Sequence, residues 1–231
     1  HRILLPVMVC MDAFIVSHTA METELASQEQ VDRFLPPCGV PHRIDPRHPV
    51  TTGGLAWPKE TLSQRLEIDE AIRRVPAVLE EHRTAFRREF GREVSPAVSA
   101  FHTEDAEDIV VASGTIATTA LEVVRQLRSE GRKIGMVRIK MFRPFPVDEL
   151  RLLCRNAKRI GVFDRNYAAG IGGIFCQDLR AGLQGHFNGV LQGYLAGVGG
   201  GDVVPAMVRD AIGDLVARRE TGDPVWLGIE P

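Results

Sequence analysis

Asp108-Ile109-Val110-Val111-Ala112-Ser113-Gly114-Thr115 opens the stretch that decides the fold, and Arg159-Ile160-Gly161-Val162-Phe163-Asp164-Arg165-Asn166 closes it. Ile109 to Ala112 is a short apolar run. Ser113-Gly114-Thr115 turns the chain, and Leu121, Val124 and Leu127 then recur at helical spacing. Gly131 stops that helix. Ile134-Gly135-Met136-Val137-Arg138-Ile139 reads as a second strand. Arg143-Pro144-Phe145-Pro146 is a rigid turn, and Asp148-Glu149 put acids at the positive end of the next helix. Ile160-Gly161-Val162-Phe163 is a third strand, ending in Asp164-Arg165-Asn166. Strands that alternate with helices of this length predict an α/β fold: an open, mostly parallel sheet with helices on both faces.

The pattern continues on the carboxyl side. Gly170-Ile171-Gly172-Gly173 turns into a helix carrying Ile174, Phe175, Leu179 and Leu183. A fourth strand is expected over Val190 to Ala196. Gly197-Val198-Gly199-Gly200-Gly201-Asp202 leads to a last helix from Pro205 to Arg219, and Pro205 suits a first helical turn. On the amino side, one long helix is expected from Glu60 to Phe90, kinked at Pro76. Glu29 to Pro58 is rich in proline and glycine and reads as a crossing or linker. Leu4-Leu5-Pro6-Val7-Met8-Val9-Cys10 reads as a buried parallel strand. Such a strand needs neighbours on both sides, so its partners are expected upstream, in a longer polypeptide. The divisions expected are residues 1–28, 29–96 and 97–231.

Composition narrows the class. The chain has 231 residues, 44% hydrophobic and 25% charged, the balance of a globular protein. Its formal net charge is -2, with basic residues interleaved among acids. That argues against a phosphate-backbone partner, so no nucleic acid is expected. No apolar run reaches the roughly 18 residues that span a bilayer. The four cysteines, Cys10, Cys38, Cys154 and Cys176, are far apart and form no Cys-x-x-Cys pair, so no iron–sulfur or zinc motif is present. Cys10, Cys154 and Cys176 lie among apolar residues and are expected to be inert buried thiols. A reducing cytoplasm is the plainest setting.

Few residues suggest chemistry. The Gly170 to Gly173 turn follows a strand and opens a helix, as a pyrophosphate cradle does. The spacing G-x-G-x-x-G is incomplete, so a tight turn with close packing is the plainer reading. Gly197 to Gly201 lacks the Lys-Ser/Thr of a P-loop. Asp164, Arg165 and Asn166 stand at a strand's carboxyl end, where open parallel sheets place ligands; a pair between Asp164 and Arg165, with Asn166 capping the loop, is the structural alternative. Arg143 suits either a carboxylate clamp or a brace at a subunit interface. Ser17, His18 and Asp12 hint at a triad, but the glycine elbow around a nucleophile is missing. His42 and His48 form no metal pattern.

These blocks together resemble the alpha subunit of the 2-oxoacid:ferredoxin oxidoreductases of the pyruvate synthase type. The resemblance rests on Pro6 to Phe14 followed by Ser17-His18-Thr19, on Val31-Asp32-Arg33-Phe34-Leu35-Pro36-Pro37, and on Thr103-Glu104-Asp105-Ala106. It continues through Ser113-Gly114-Thr115-Ile116-Ala117, Arg138-Ile139-Lys140-Met141-Phe142-Arg143-Pro144-Phe145-Pro146, Asp164-Arg165-Asn166 and Ala196-Gly197-Val198-Gly199-Gly200. Ala13 replaces a glycine of the family pattern, Gly201 an arginine, and Val204 a threonine whose helix cap would be worth about 1 kcal/mol.

The resemblance implies a thiamine diphosphate-dependent enzyme that oxidatively decarboxylates a 2-oxoacid. It implies iron–sulfur clusters that pass electrons to ferredoxin, and coenzyme A as acyl acceptor. It implies Mg2+ with the thiamine diphosphate, and beta, gamma and delta-type partner subunits. Residues 1–28 would end a pyrimidine-binding domain. Residues 29–96 would cross to a transketolase carboxy-terminal-like domain over 97–231. The family's cofactor-activating glutamate and its cluster cysteines match no position here. No catalytic or metal-binding residue is therefore assigned. His18, Arg143, Asp164, Arg165 and Asn166 are expected to brace loops or interfaces, and the chain alone is expected to be silent and to serve assembly. Two alternatives are a non-catalytic interaction domain and the carboxy-terminal domain of another thiamine-dependent enzyme. A third is an independent nucleotide-binding protein.

Overall fold

A computed structural model describes residues 2–13, 15–35, 37, 39, 44–51 and 53–229. Phe14, Pro36, Cys38, Pro41 and His42, which enter the sequence reading, lie outside these residues, as do His1 and Pro231. In chain order the elements are α1 (Ile15–His18), α2 (Gln28–Phe34), α3 (Pro58–Arg73), α4 (Val75–Phe90), β1 (Val98–Phe101), β2 (Asp108–Ala112) and α5 (Gly114–Ser129). They continue with β3 (Ile134–Ile139), α6 (Val147–Cys154), β4 (Arg159–Asp164), α7 (Ile174–Leu183), β5 (Val190–Leu195), α8 (Pro205–Ala217) and β6 (Val225–Trp226). The chain divides into two compact units. One holds residues 1–10 and 20–94, the other residues 11–19 and 95–231.

The first unit is helical. Ser27 accepts from the Gln30 amide while the Gln30 side chain returns to the Ser27 amide, a capping box that starts α2. A short helix thus stands at the head of the stretch expected to be a plain crossing. Phe34 at its end packs edge-on against Phe86 and Phe90 of α4. The long helix expected over Glu60 to Phe90 is two helices. Arg74 separates them, and Pro76 lies in the first turn of α4, where its missing N–H costs nothing. The Leu4 to Cys10 segment is not a strand. Val7, Met8 and Val9 are 84%, 87% and 91% exposed. A strand needs hydrogen-bonded neighbours, and the described residues give this segment none.

The second unit is built on the expected open sheet. Its strand order is β1-β3-β2-β4-β5-β6, parallel except for β1, which runs against β3. Side chains alternate along the strands. Ile109 and Val111 face α6 and α7, packing with Leu150, Cys154, Leu179 and Leu183. Val110 and Ala112 face α5 and α8, packing with Ala117, Val124, Val208 and Leu215. Both faces are therefore covered, which is why β2 reads as a continuous apolar run. Two edge strands, β1 and β6, complete the sheet beyond the four expected. Beyond β5, the Leu191 amide donates to the Thr221 hydroxyl, and the buried Gln192 side chain bonds Gly193, Gly222 and Asp223.

The connections from β2 and β4 leave in opposite directions. α5 crosses one face toward β3, and α7 crosses the other toward β5. The carboxyl ends of β2 and β4 thus flank the point where the winding reverses, the usual ligand crevice of such sheets. The residues there are Ser113-Gly114-Thr115 and Asp164-Arg165-Asn166.

Candidate functional site

Asp164 is the last residue of β4 and is 1% exposed. Its carboxylate accepts from the Phe175 amide and from the Cys176 amide, both at 3.0 Å. Asn166, two residues on, accepts from the Ile174 amide at 2.8 Å. Asp164 and Asn166 together satisfy the first three N–H groups of α7, which otherwise have no partner. The carboxylate also lies at the positive end of the helix. Burial pushes the Asp164 carboxyl up to about 6, because desolvation outweighs the pull of the two amides and Asn166.

Gly173 makes this seat. A Cβ there would lie 2.1 Å from an Asp164 carboxylate oxygen, closer than any packing allows. The helix start after the glycine turn, the place that suggested a pyrophosphate cradle, is thus taken by the chain's own carboxylate.

Arg165 does not pair with Asp164. Its guanidinium reaches over to the Gly197 and Gly201 carbonyls, at 3.5 and 3.4 Å. Gly197 adopts φ +67, and a Cβ on it would lie 3.1 Å from the Arg165 Cζ. The Asp164-Arg165-Asn166 block thus ties two glycine turns together: its outer members cap α7, and its middle member closes the turn after β5. Among the described residues no hydrogen bond joins Asp202 to α8, whose cap residue Val204 offers no side-chain acceptor.

The start of α5 has the same design with a distant partner. Ser113 extends into the cap position without a side-chain bond. Asp12 instead accepts from the Thr115 amide at 2.7 Å. Gly114 has φ +56, and a Cβ on it would stand 2.9 Å from an Asp12 oxygen. Asp12, for which the sequence only hinted at a triad, is a helix cap. Ser17 and His18 do meet, with Oγ and Nδ1 2.7 Å apart on α1.

Arg143 forms a two-pronged pair with Asp178 on α7, at 2.7 and 3.3 Å, and donates to the Phe142 carbonyl. Its guanidinium lies 4.1 Å from the Phe142 ring centroid, and Phe142 packs edge-on against Phe175. Sequence reading missed Asp178 because the pair joins residues 35 positions apart with no local periodicity.

Cys154 and Cys176 are buried and unpaired, with thiols pushed up to about 12 and about 11 by desolvation. Cys10, expected to be buried, is exposed. No three metal-ligating side chains converge among the described residues. They do not fit an iron–sulfur cluster, which needs several thiolates together. No helix of the described residues is long and apolar enough to cross a membrane.

Two family models match the chain in succession. Residues 1–84 match the pyruvate flavodoxin/ferredoxin oxidoreductase thiamine diphosphate-binding domain, and residues 106–208 match core domain II of pyruvate:ferredoxin oxidoreductase. The pyruvate synthase subunit PorA of Methanothermobacter thermautotrophicus is 33% identical over 99% of this chain and 58% of that subunit. The ketoisovalerate oxidoreductase subunit VorA of Pyrococcus horikoshii is 32% identical over 94% of this chain and 56% of that subunit. A solved 2-oxoglutarate:ferredoxin oxidoreductase from Magnetococcus marinus aligns with 69% of this chain and 24% of its own, at 14% identity and a TM-score of 0.47. The chain spans a little under three-fifths of the curated relatives it matches. Near-complete alignment to these subunits, with two models of the same enzymes in succession along it, places the chain in the 2-oxoacid:ferredoxin oxidoreductase family, among subunits of the alpha type.

Proposed function

We propose that this chain is part of the alpha subunit of a thiamine diphosphate-dependent 2-oxoacid:ferredoxin oxidoreductase. The complex would convert pyruvate or a related 2-oxoacid to acyl-coenzyme A, carbon dioxide and reduced ferredoxin. The observation that carries this reading is the succession of the two family models along one chain, at residues 1–84 and 106–208. The substrate stays at the level of a class, since pyruvate and ketoisovalerate relatives match with similar identity.

This portion works in assembly, with residues 97–231 as a transketolase-like domain. Two features support that. The α7 cradle at the winding reversal is taken by Asp164, and the α5 cradle by Asp12. The described thiols are isolated, so iron–sulfur clusters would sit on gamma and delta-type partners. Thiamine diphosphate and Mg2+ would be held with a beta subunit, in a cytoplasmic complex.

The test is an anaerobic pull-down of the tagged chain from its own cells, with visible absorbance of the eluate recorded. Brown companions with iron–sulfur absorbance, and 2-oxoacid-dependent reduction of ferredoxin, are expected. The isolated chain is expected to release no carbon dioxide from pyruvate with thiamine diphosphate and Mg2+. Turnover by the isolated chain would overturn the assembly role, and colourless recovery without companions would overturn the oxidoreductase reading.

A further inference from the structure

Residues 11–19 group with the second unit, although residues 1–10 and 20–94 group with the first. This short strap carries α1 and the Ser17–His18 pair. Its described side chains offer little burial: Met11 is 64% exposed and Val16 45%. Hydrophobic contact by Met11 and Val16 therefore does little to hold it. Asp12 is the exception, half-buried, with its carboxylate on the Thr115 amide at 2.7 Å.

The receiving end is shaped for that carboxylate. Ser113 occupies the cap position of α5 but its hydroxyl caps nothing. Gly114 takes φ +56 and leaves the space into which an Asp12 oxygen fits. An ordinary helix start carries its own cap within the chain turn; α5 takes its cap from 103 positions away. Its counterpart α7 is capped by Asp164 and Asn166 from the strand that leads into it. The two starts also differ in what carries the carboxylate: that of α7 is fixed in a buried strand, whereas that of α5 rides on an exposed segment.

We propose that the Asp12–Thr115 contact is a latch that fastens the strap of residues 11–19 onto the α5 start and so sets where the Ser17–His18 pair stands. With the latch closed, the strap lies at the carboxyl end of β2, beside the winding reversal. With it open, the strap loses its charged anchor and α5 loses its cap. The inference is independent of the oxidoreductase reading, since it concerns only contacts within the second unit.

Backbone 15N relaxation on the full chain tests it, read at Val16 to Thr19 and at Ile116 and Ala117. In the native chain, order parameters at Val16 to Thr19 should be about 0.8, and in Asp12→Ala they should fall below about 0.6. Asp12→Ala also uncaps α5, so general loosening must be separated from unlatching. The double variant Asp12→Ala/Ser113→Asp restores a local cap. There, Ile116 and Ala117 should return to native values while Val16 to Thr19 stay loose. Unchanged order parameters at Val16 to Thr19 in Asp12→Ala would overturn the latch. So would their recovery in the double variant, which would show that the strap follows helix stability and not the Asp12 anchor.

Discussion

The Asp164 carboxylate and the Cα of Gly173 are interlocked: the carboxylate oxygen lies where a Cβ on residue 173 would come within 2.1 Å of it. The same oxygen accepts from the Cys176 amide at 3.0 Å. Gly173→Ala cannot be relieved by a rotamer change of its own, because a methyl has none. Asp164 would have to leave the α7 start, stranding a buried carboxylate and two buried N–H groups. Each such unsatisfied group costs about 1–3 kcal/mol, more when charged. Denaturant unfolding of Gly173→Ala is therefore expected to show a loss of about 3 kcal/mol or more, and a loss under 1 kcal/mol would show that the cradle is not occupied as described.

The raised Asp164 carboxyl gives this protein a pH signature. In the unfolded chain the group titrates near 3.8, and in the fold at about 6. The folded state binds the proton more tightly, so this group favours folding fully below 3.8, and that contribution is lost as pH rises through about 6. At about 1.4 kcal/mol per pH unit, ionisation costs the fold about 3 kcal/mol between those limits. The stability of the native chain relative to Asp164→Asn should therefore rise by roughly that amount from pH 7 to pH 4. A difference that stays flat over that range would rule out the raised carboxyl.

Tyr194 ties β5 to α8. Its hydroxyl donates to Asp214 at 2.7 Å, and Asp214 also receives Arg218 at 2.7 Å. The ring stacks on Phe163 at 5.1 Å between centroids. Tyr194→Phe keeps the ring and the stack and leaves Asp214 its arginine. The loss should be about 1.5–3 kcal/mol, the worth of one hydrogen bond to a charged group. Tyr194→Ala removes the ring as well and should cost about 3–5 kcal/mol. Equal losses for the two variants in thermal unfolding would contradict this division.

The sheet was legible because β2, β3, β4 and β5 are covered on both faces and are apolar along their length save for Arg138 in β3, Gln192 in β5 and the charged residues at the ends of β2 and β4. Ile109 to Ala112 and Ile160 to Phe163 announce themselves without knowledge of their neighbours. The edge strands were not legible for the opposite reason: β6 is two residues long and β1 is only partly buried. The Leu4 to Cys10 run carried a strand's composition but lacks a ladder among the described residues, and pairing is what composition cannot report. At the site, the Asp164-Arg165-Asn166 block stood out, yet its wiring did not. Adjacent opposite charges suggested a pair, but successive residues leaving a strand point to opposite sides, so Asp164 turns to α7 and Arg165 to the Gly197 turn. Asp12 was invisible as a cap because nothing local links it to Thr115.

The three described cysteines should separate cleanly in alkylation. At pH 8 a thiol held near 11, as in Cys176, is thiolate only about one part in a thousand, and Cys154, near 12, less still. Both are also 1–2% exposed. Cys10 is exposed. Iodoacetamide labelling followed by peptide mass spectrometry should mark Cys10 within minutes and leave Cys154 and Cys176 unmodified until denaturant is added. Early labelling of Cys176 would mean that the α7 start opens in the native state.

Arg143 offers a way to tell a structural pair from an interface residue. Its pair with Asp178 is short, but the side chains are 52% and 25% exposed, and exposed pairs contribute about 0–1 kcal/mol. The stack on Phe142 adds about 0.5–1 kcal/mol at such a site. Arg143→Ala should therefore shift the unfolding free energy of the chain by no more than about 1–2 kcal/mol. Phe142 beside it is 42% exposed, an aromatic and an arginine together on the surface, the combination that concentrates binding energy at interfaces. If Arg143 braces a partner subunit, the same substitution should reduce recovery of the brown companions at least tenfold while the chain stays folded. Full recovery of companions by Arg143→Ala would confine the residue to its pair with Asp178. The outcome depends on the two readouts moving separately, since the weak contribution of an exposed pair to folding cannot by itself account for a loss of assembly.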